Sequence, residues 1–349
     1  MVANPVTEPR LQRVVADGRD VEGVGEKDLV EMWRLMRYLR AFDERAVALQ
    51  RQGRLGTYPI YWGQEGIQVG SALAARDDDW LFPSYREGSI GLVRGQSPAQ
   101  VLHYWRGHPA GFWDPLEHHV APICVPIATH IPHAVGAAWA AKLRRSDQAS
   151  LVYFGDGATS EGDFHEGMNL AAVMKVATVF VCTNNQWAIS TPIRRQTAAV
   201  HLVDKAIGYG MPGVMVDGDD VLAVYEATRD ALERARAGEG PTFLECMTYR
   251  VAPHGTADDP DVYQDKVERE VHRLHECMVL FRGYLERRGM AGDEETGKID
   301  ADIKERLTRA IAEVEAAPPG GVEDVFGRQY AAVPPGLRAQ REEAAQWRT

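Results

Sequence analysis

The sequence predicts an α/β fold: a parallel sheet flanked by helices, with an N-terminal helical arm and a C-terminal helical extension. Three observations predict it. Apolar, β-rich runs at 151–154 and 177–182 bracket a segment with helical spacing at Phe164, Met168, Leu170, Ala171 and Met174, and strand–helix–strand in that order makes two neighbouring parallel strands. Further strand-like runs at 80–82, 213–216 and 242–248 alternate with helical patterns, so the sheet has at least four parallel strands. Both ends are helical instead: 26–52 carries an apolar stripe, and 264–315 is charged and periodic.

In chain order, residues 1–25 are polar and rich in glycine and charge and read as a loose arm. The stripe of 26–52 (Leu29, Met32, Leu35, Met36, Leu39, Phe42, Ala46, Leu49) makes a core-facing helix that Gly53 ends. Gly63, Gly66 and Gly70 lie where a loop enters a helix near Gln64, and with no preceding strand they are not a dinucleotide fingerprint. Residues 88–107 read as helical, with Pro98 at a helix start. A helix over 131–144 has a small-residue face suited to close approach by the sheet or a partner helix. The segment 194–213 is irregular, with a helical piece at 202–207. Val224, Ala227, Ala231 and Ala235 define one face of a helix over 221–237, which Gly238, Gly240 and Pro241 stop. The helical stretch from Gln264 breaks around 289–297, and 318–321 is a linker to a tail whose Val325, Phe326 and Tyr330 suggest docking. These patterns divide the chain into an arm and helix (1–52), an α/β domain (53–263) and a C-terminal extension and tail (264–349).

Hydrophobic content of 45% and charged content of 26% fit a soluble globular protein. A net charge of −11 argues against nucleic acid as a partner. No run reaches the length of a membrane span, and MVANPVTEPR lacks the apolar core of a signal peptide. Cys124, Cys182, Cys246 and Cys277 are scattered without a CxxC pair, which fits a reducing cytoplasm. The spacing of His103, His108, His118 and His119 matches no metal site.

The chemistry gathers where the strands end. Asp156, in Gly155-Asp156-Gly157, follows the first strand of the central unit, and Asn185 follows the second. Ligands of open α/β sheets collect at those carboxyl ends. A carboxylate and an amide oxygen on adjacent strand ends, with the backbone carbonyl of Trp187, make an oxygen set suited to Mg²⁺ shared with phosphate. Gly157 and Ala158 lack bulk, so a diphosphate can approach the backbone there. Tyr85 and Arg86 follow the strand-like 80–82, where an arginine suits a phosphate. His254 lies in a loop after the last strand, at the same edge.

A GDG turn or an Asn-Asn pair alone is commonplace. Joined over residues 158–183 by a helix and a strand, they resemble the thiamine-diphosphate motif. Together with GQEGIQVGSALA (63–74), LFPSYRE (81–87), VPIATHIPHAVGAAWAAK (125–142), VDGDDVLAVYEATRDA (216–231) and CMTYR (246–250), the chain resembles the alpha subunit of the first component of a thiamine-diphosphate-dependent 2-oxo acid dehydrogenase, of the branched-chain or pyruvate type. The resemblance implies a thiamine-diphosphate-binding fold. It implies Asp156, Asn185 and the Trp187 carbonyl on Mg²⁺, and Tyr85 and Arg86 at the diphosphate. Ile127 would support the aminopyrimidine end, and Gly157, Ala158, Ala188 and Ile189 would line the cofactor channel. His254 would stand near the diphosphate and act in acyl transfer to lipoamide. It also implies decarboxylation of a 2-oxo acid, a beta subunit in a heterotetramer of two alpha and two beta chains, and the lipoyl domain of an acyltransferase component as partner. The glutamate that activates the cofactor comes from the beta subunit in that family, so the chain alone is expected to be inactive.

Several positions depart from the family. Thr183 stands where branched-chain relatives carry an arginine. Cys124 and His130 replace oxygen-bearing side chains where some relatives hold K⁺, which argues against that site. Gly255 replaces the serine phosphorylated in mammalian relatives, so that switch has no acceptor. Branched-chain substrates such as 2-oxoisovalerate are the favoured expectation, before pyruvate and then acetoin. A non-catalytic scaffold and a metal-dependent hydrolase are the readings from other classes.

Overall fold

The computed structural model describes residues 10–327 and 330–347. Helices α1 (Glu26–Arg51) and α2 (Glu65–Ala74) precede the first strand, β1 (Trp80–Phe82). Helix α3 (His130–Leu143), strand β2 (Ser150–Gly155), helix α4 (Gly162–Met174) and strand β3 (Thr178–Asn184) form the central unit. Then come β4 (Gly213–Asp217), α5 (Val221–Arg236) and β5 (Thr242–Met247), followed by α6 (Cys277–Arg287) and α7 (Asp293–Ala316). The five strands make one parallel sheet in the order β1-β2-β3-β5-β4.

The strands are mostly apolar because both faces of the sheet are covered, and the buried Glu245 of β5 is satisfied by Asn184 Nδ2 and Val203 N. Leu151, Tyr153, Val179, Val181, Val216 and Leu244 point to one face, among α1, α2, α5, α6 and α7. Val152, Phe154, Phe180, Cys182 and Phe243 point to the other, against α3 and α4. Helices α2 and α5 pack at close range, since a Cβ on Gly70 would sit 2.6 Å from the Val221 carbonyl. The register aligns Gly155 with Thr183, and Asn184 and Asp217 both with Met247. The residues just beyond these pairs share one edge of the sheet.

The structure corrects the sequence in several places. The described part of the N-terminal arm is not loose. Gln12 adds a bridge to β4, donating to Met215 O at 2.9 Å and accepting from Asp217 N at 3.0 Å. The Val14 and Val15 amides both donate to Asp220 Oδ2 at 2.7 Å, and both valines are buried. Asp220 Oδ1 meanwhile caps α5 by accepting from Leu222 and Ala223. One carboxylate thus serves the arm and the helix, a long-range pairing that local composition does not encode. Residues 1–9 lie outside the described residues.

The helix expected over 88–107 is two, Ile90–Val93 and Pro98–Trp105, because the chain turns at Gly95 with φ +86°. The break expected at 289–297 is shorter. It follows α6, where Gly289 (φ +70°) and Ala291 (φ +56°) turn the chain, and α7 then runs from Asp293 straight through Gly297. The stretch from Gln264 also breaks between the helix Lys266–Arg273 and α6. Leu170, expected on the buried stripe of α4, is 36% exposed, while Phe164, Gly167, Met168 and Ala171 face inward. Ile303, Leu307, Ala310 and Val314 of α7 belong to the same buried cluster as α1. At the root of the tail, His108 Nδ1 accepts from Ala110 N at 3.1 Å, which leaves Nε2 protonated to donate to Pro318 O at 2.8 Å.

Candidate active site

Every residue expected at the site lines one cavity of about 290 Å³ at the carboxyl edge of the sheet: Tyr85, Arg86, Ile127, Asp156, Gly157, Ala158, Asn185, Trp187, Ala188, Ile189 and His254. Five chain segments reach it, and each is brought there by the strand or helix it adjoins.

Asp156 leaves β2 into a short 3₁₀ turn, Asp156–Ser160, that also carries Gly157 and Ala158. Its side chain is 1% exposed, and Oδ2 is buried without a hydrogen-bond partner. Burial pushes its pKa up to about 6; Arg250, Arg86 and nearby backbone N–H groups oppose that rise. A Cβ on Gly157 would lie 3.1 Å from the Ala188 Cβ, so the two cavity walls approach closely at this glycine.

Asn185 leaves β3 into a tight turn. Its Oδ1 accepts from Trp187 N at 3.3 Å, an Asx-type closure. Gln186 (φ +71°) and Ile189 (φ +54°) adopt left-handed backbone conformations that non-glycine residues rarely take. Fully buried Arg250 braces this strained loop, donating to Trp187 O at 3.2 Å and to Ile189 O at 2.6 Å. Burial, then the neighbouring Arg86, lowers the Arg250 pKa.

Arg86, 5% exposed, donates to Ile60 O through Nη1, and its Nη2 lies 3.0 Å from His254 Nδ1 and 3.1 Å from His254 O. Tyr85 meets the His254 ring edge-on at 5.8 Å between centroids. The His254 amide donates to Asp258 Oδ2 at 2.8 Å, and the Tyr263 hydroxyl donates to that oxygen at 2.5 Å while accepting from Arg250 Nη2 at 2.7 Å. Burial, then the Arg86 and Arg250 charges, drives the His254 pKa down to about 3.

Ile127 enters on a loop in which Ala128 has φ +65°. Buried His130 ties that loop to β2, with Nε2 2.6 Å from Tyr153 O; burial lowers its pKa, and the ring is neutral with Nε2 as donor.

Sequence reasoning missed Glu87 and the role of Arg250. Glu87 lines the cavity and is 2% exposed, accepting from Ser84 Oγ at 2.5 Å and Thr183 Oγ1 at 3.2 Å, with its pKa raised by burial. Glu87 directly follows Arg86, a local signal that a polar constellation begins there. Nothing near Arg250 marks it as buried, because its partners lie on another loop.

A diphosphate and a hard cation fit this donor set. Asp156 Oδ2 is an unpaired buried carboxylate oxygen, and Asn185 and Trp187, which line the same cavity, offer a neutral amide oxygen and a backbone carbonyl. Arg86 and Arg250 supply buried positive charge for an anion. A second group of ligating side chains, Glu65, Glu276 and Cys277, is already served by a cation, because Arg40 pairs with Glu65 at 2.5 Å and Glu276 at 2.8 Å. Among the described residues no helix is long and apolar enough to cross a membrane.

Residues 33–323 match the family model described as "Dehydrogenase E1 component". The chain is 44% identical over 328 residues to the 3-methyl-2-oxobutanoate dehydrogenase subunit alpha of Mycobacterium tuberculosis, covering 94% of this chain and 89% of that one. It is 36% identical over 320 residues to the 2-oxoisovalerate dehydrogenase subunit alpha of Bacillus subtilis (88% and 97% covered). It is also 36% identical over 345 residues to the pyruvate dehydrogenase E1 component subunit alpha of Acholeplasma laidlawii (98% and 96% covered).

Proposed function

Because the chain belongs to the dehydrogenase E1 component family, we propose that it is the alpha subunit of a branched-chain 2-oxo acid dehydrogenase, with thiamine diphosphate and Mg²⁺ as its cofactors. The observation that carries this reading is the convergence of all the expected residues on one cavity around the unpaired Asp156 oxygen. Thiamine diphosphate, when bound, supplies the chemistry that cleaves the carboxylate from a 2-oxo acid.

The chain's own residues bind and orient. Asp156, Asn185 and the Trp187 carbonyl would hold Mg²⁺, and Arg250 fixes that carbonyl by donating to it. Arg86 and Tyr85 would meet the diphosphate, at the small-residue wall of Gly157 and Ala158. Neutral His254 accepts from Arg86 at Nδ1, so its proton sits on Nε2, where it can donate to a phosphate oxygen or an acyl group in transfer to lipoamide. Ile127, Ala188 and Ile189 give the cavity an apolar side.

Ile127 and Ile189 are 42% and 56% exposed at the cavity, which suits a second chain closing over it. We assign that place to the beta subunit of a heterotetramer of two alpha and two beta chains, with the lipoyl domain of an acyltransferase as the acceptor. A cytoplasmic setting and the division at residues 52 and 263 belong to the same proposal. The higher identity to a branched-chain alpha subunit supports that substrate class over pyruvate.

The test is decarboxylation of 2-oxoisovalerate and of pyruvate, followed with an artificial electron acceptor, by the chain alone and co-expressed with a beta chain. Each sample is run with and without Mg²⁺ and thiamine diphosphate. Activity is expected only in the assembled, loaded sample and faster on 2-oxoisovalerate. A folded heterotetramer that neither binds the cofactor nor turns over either substrate would return the scaffold and hydrolase readings; preference for pyruvate would overturn the substrate assignment alone.

A further inference from the structure

Asp156 and Asn185 sit on neighbouring strands, yet both lie just past the end of the ladder, where β2 and β3 no longer fix their spacing. A separate connection spans that gap. After the Asn185–Ile189 loop the chain folds into a small hairpin, pairing Trp187 with Pro192 and Ala188 with Thr191. Ile193 N then donates to Gln186 O at 3.0 Å and starts the one-turn helix Ile193–Gln196. At its end Gln196 reaches back to the other strand's turn: Nε2 donates to Asp156 O at 2.5 Å and to Ser160 Oγ at 3.3 Å. Thr159 Oγ1 donates to the same Asp156 carbonyl at 2.9 Å. The two strand ends are thereby closed into a ring, by covalent chain on one side and by Gln196 on the other.

We propose that Gln196 is the positioning residue that sets the distance between Asp156 and Asn185, and so makes the site select a small divalent cation over a larger one. The inference rests on the reading of these residues as cation ligands. Mg²⁺ requires ligands at about 2.0–2.1 Å in near-ideal octahedral geometry, whereas Ca²⁺ accepts about 2.3–2.6 Å and irregular shells. Discrimination therefore depends on how firmly the ligand carriers are held. Gln196 is not among the residues that line the cavity; it acts on the backbone that carries Asp156. Its Oε1 is buried and unpaired, so the amide engages its surroundings through its donor alone.

The experiment uses the assembled heterotetramer with thiamine diphosphate present. Mn²⁺ binding is followed by electron paramagnetic resonance, and Mg²⁺ or Ca²⁺ is titrated as competitor. Gln196→Met removes the donor at similar length, and Gln196→Glu replaces it with an acceptor facing a carbonyl. Both should weaken Mg²⁺ by about tenfold, in the range for lost ligand-supporting hydrogen bonds, with a markedly smaller change for Ca²⁺, so the Mg²⁺/Ca²⁺ preference falls. Thr159→Val, which removes the second donor to the same carbonyl, should shift the ratio the same way by less. Assembly and thermal midpoint are measured on the same samples, and the ratio is read from whichever variants assemble. A ratio equal to wild type in those variants, whether both cations weaken together or neither does, overturns the inference. Failure of the wild type to bind Mn²⁺ would instead overturn the reading of the site itself.

Discussion

Arg86 Nη2 lies 3.0 Å from His254 Nδ1, and the same nitrogen is 3.1 Å from the His254 carbonyl oxygen. A guanidinium has only donors, so the imidazole must accept at Nδ1 and carry its proton on Nε2. One arginine thus fixes both the ring orientation and the tautomer of the loop histidine.

His254 should stay neutral through the physiological range. Its folded pKa of about 3 lies below the ordinary value of 6.5, so between those pH values the unfolded chain binds more protons. The stability this residue contributes is complete above pH 6.5 and is lost as pH falls toward 3. The ring resonances should show no titration between pH 8 and pH 5. Arg86→Gln removes one of the two charges that depress the pKa and should move the midpoint upward. A wild-type midpoint near 6.5 would contradict the contact.

Asp156→Asn keeps the shape of the side chain and removes its charge. Cation binding should fall by at least about 100-fold, since a buried ligand charge is lost. Folding stability in the absence of cation should not fall, and should rise at neutral pH, because burial disfavours the charge that is removed and the oxygen that is replaced has no partner in the folded chain. Calorimetric Mg²⁺ titration and thermal melts of the same samples check both halves.

Arg40 is the cation of a buried cluster, pairing with Glu65 of α2 and with Glu276 just before α6. Arg40→Met leaves two carboxylates buried without their partner. We expect a loss of about 3–5 kcal/mol, the usual cost of breaking a buried pair from one side. Urea denaturation gives the figure, and a loss below 1 kcal/mol would mean that the carboxylates find other partners.

Gly70→Ala tests the close approach of α2 and α5. The added methyl would meet the Val221 carbonyl at 2.6 Å and Tyr225 N at 3.1 Å, both backbone atoms. The helices must separate, at a cost of about 1–3 kcal/mol typical of overpacking. Gly136→Ala, on an exposed face of α3 with no atom within 4 Å of the new carbon, should be neutral or slightly stabilising in the isolated chain.

The sequence by itself determined the strands, their order along the chain and the residues at their carboxyl ends. A strand covered on both faces must be largely apolar, and a chain leaving it must turn on small or polar residues, so 151–157 and 178–185 carry their own signal. What only the tertiary structure decided is how those ends are held. Arg250 braces the Trp187 and Ile189 carbonyls from 61 to 63 residues away. Asp220 gathers the arm from more than 200 residues away, and Gln196 clasps Asp156 across 40. Each is a hydrogen bond between side chain and backbone, and such bonds impose no periodicity on the sequence. Their donors and acceptors find one another only after the sheet has set the positions of the loops.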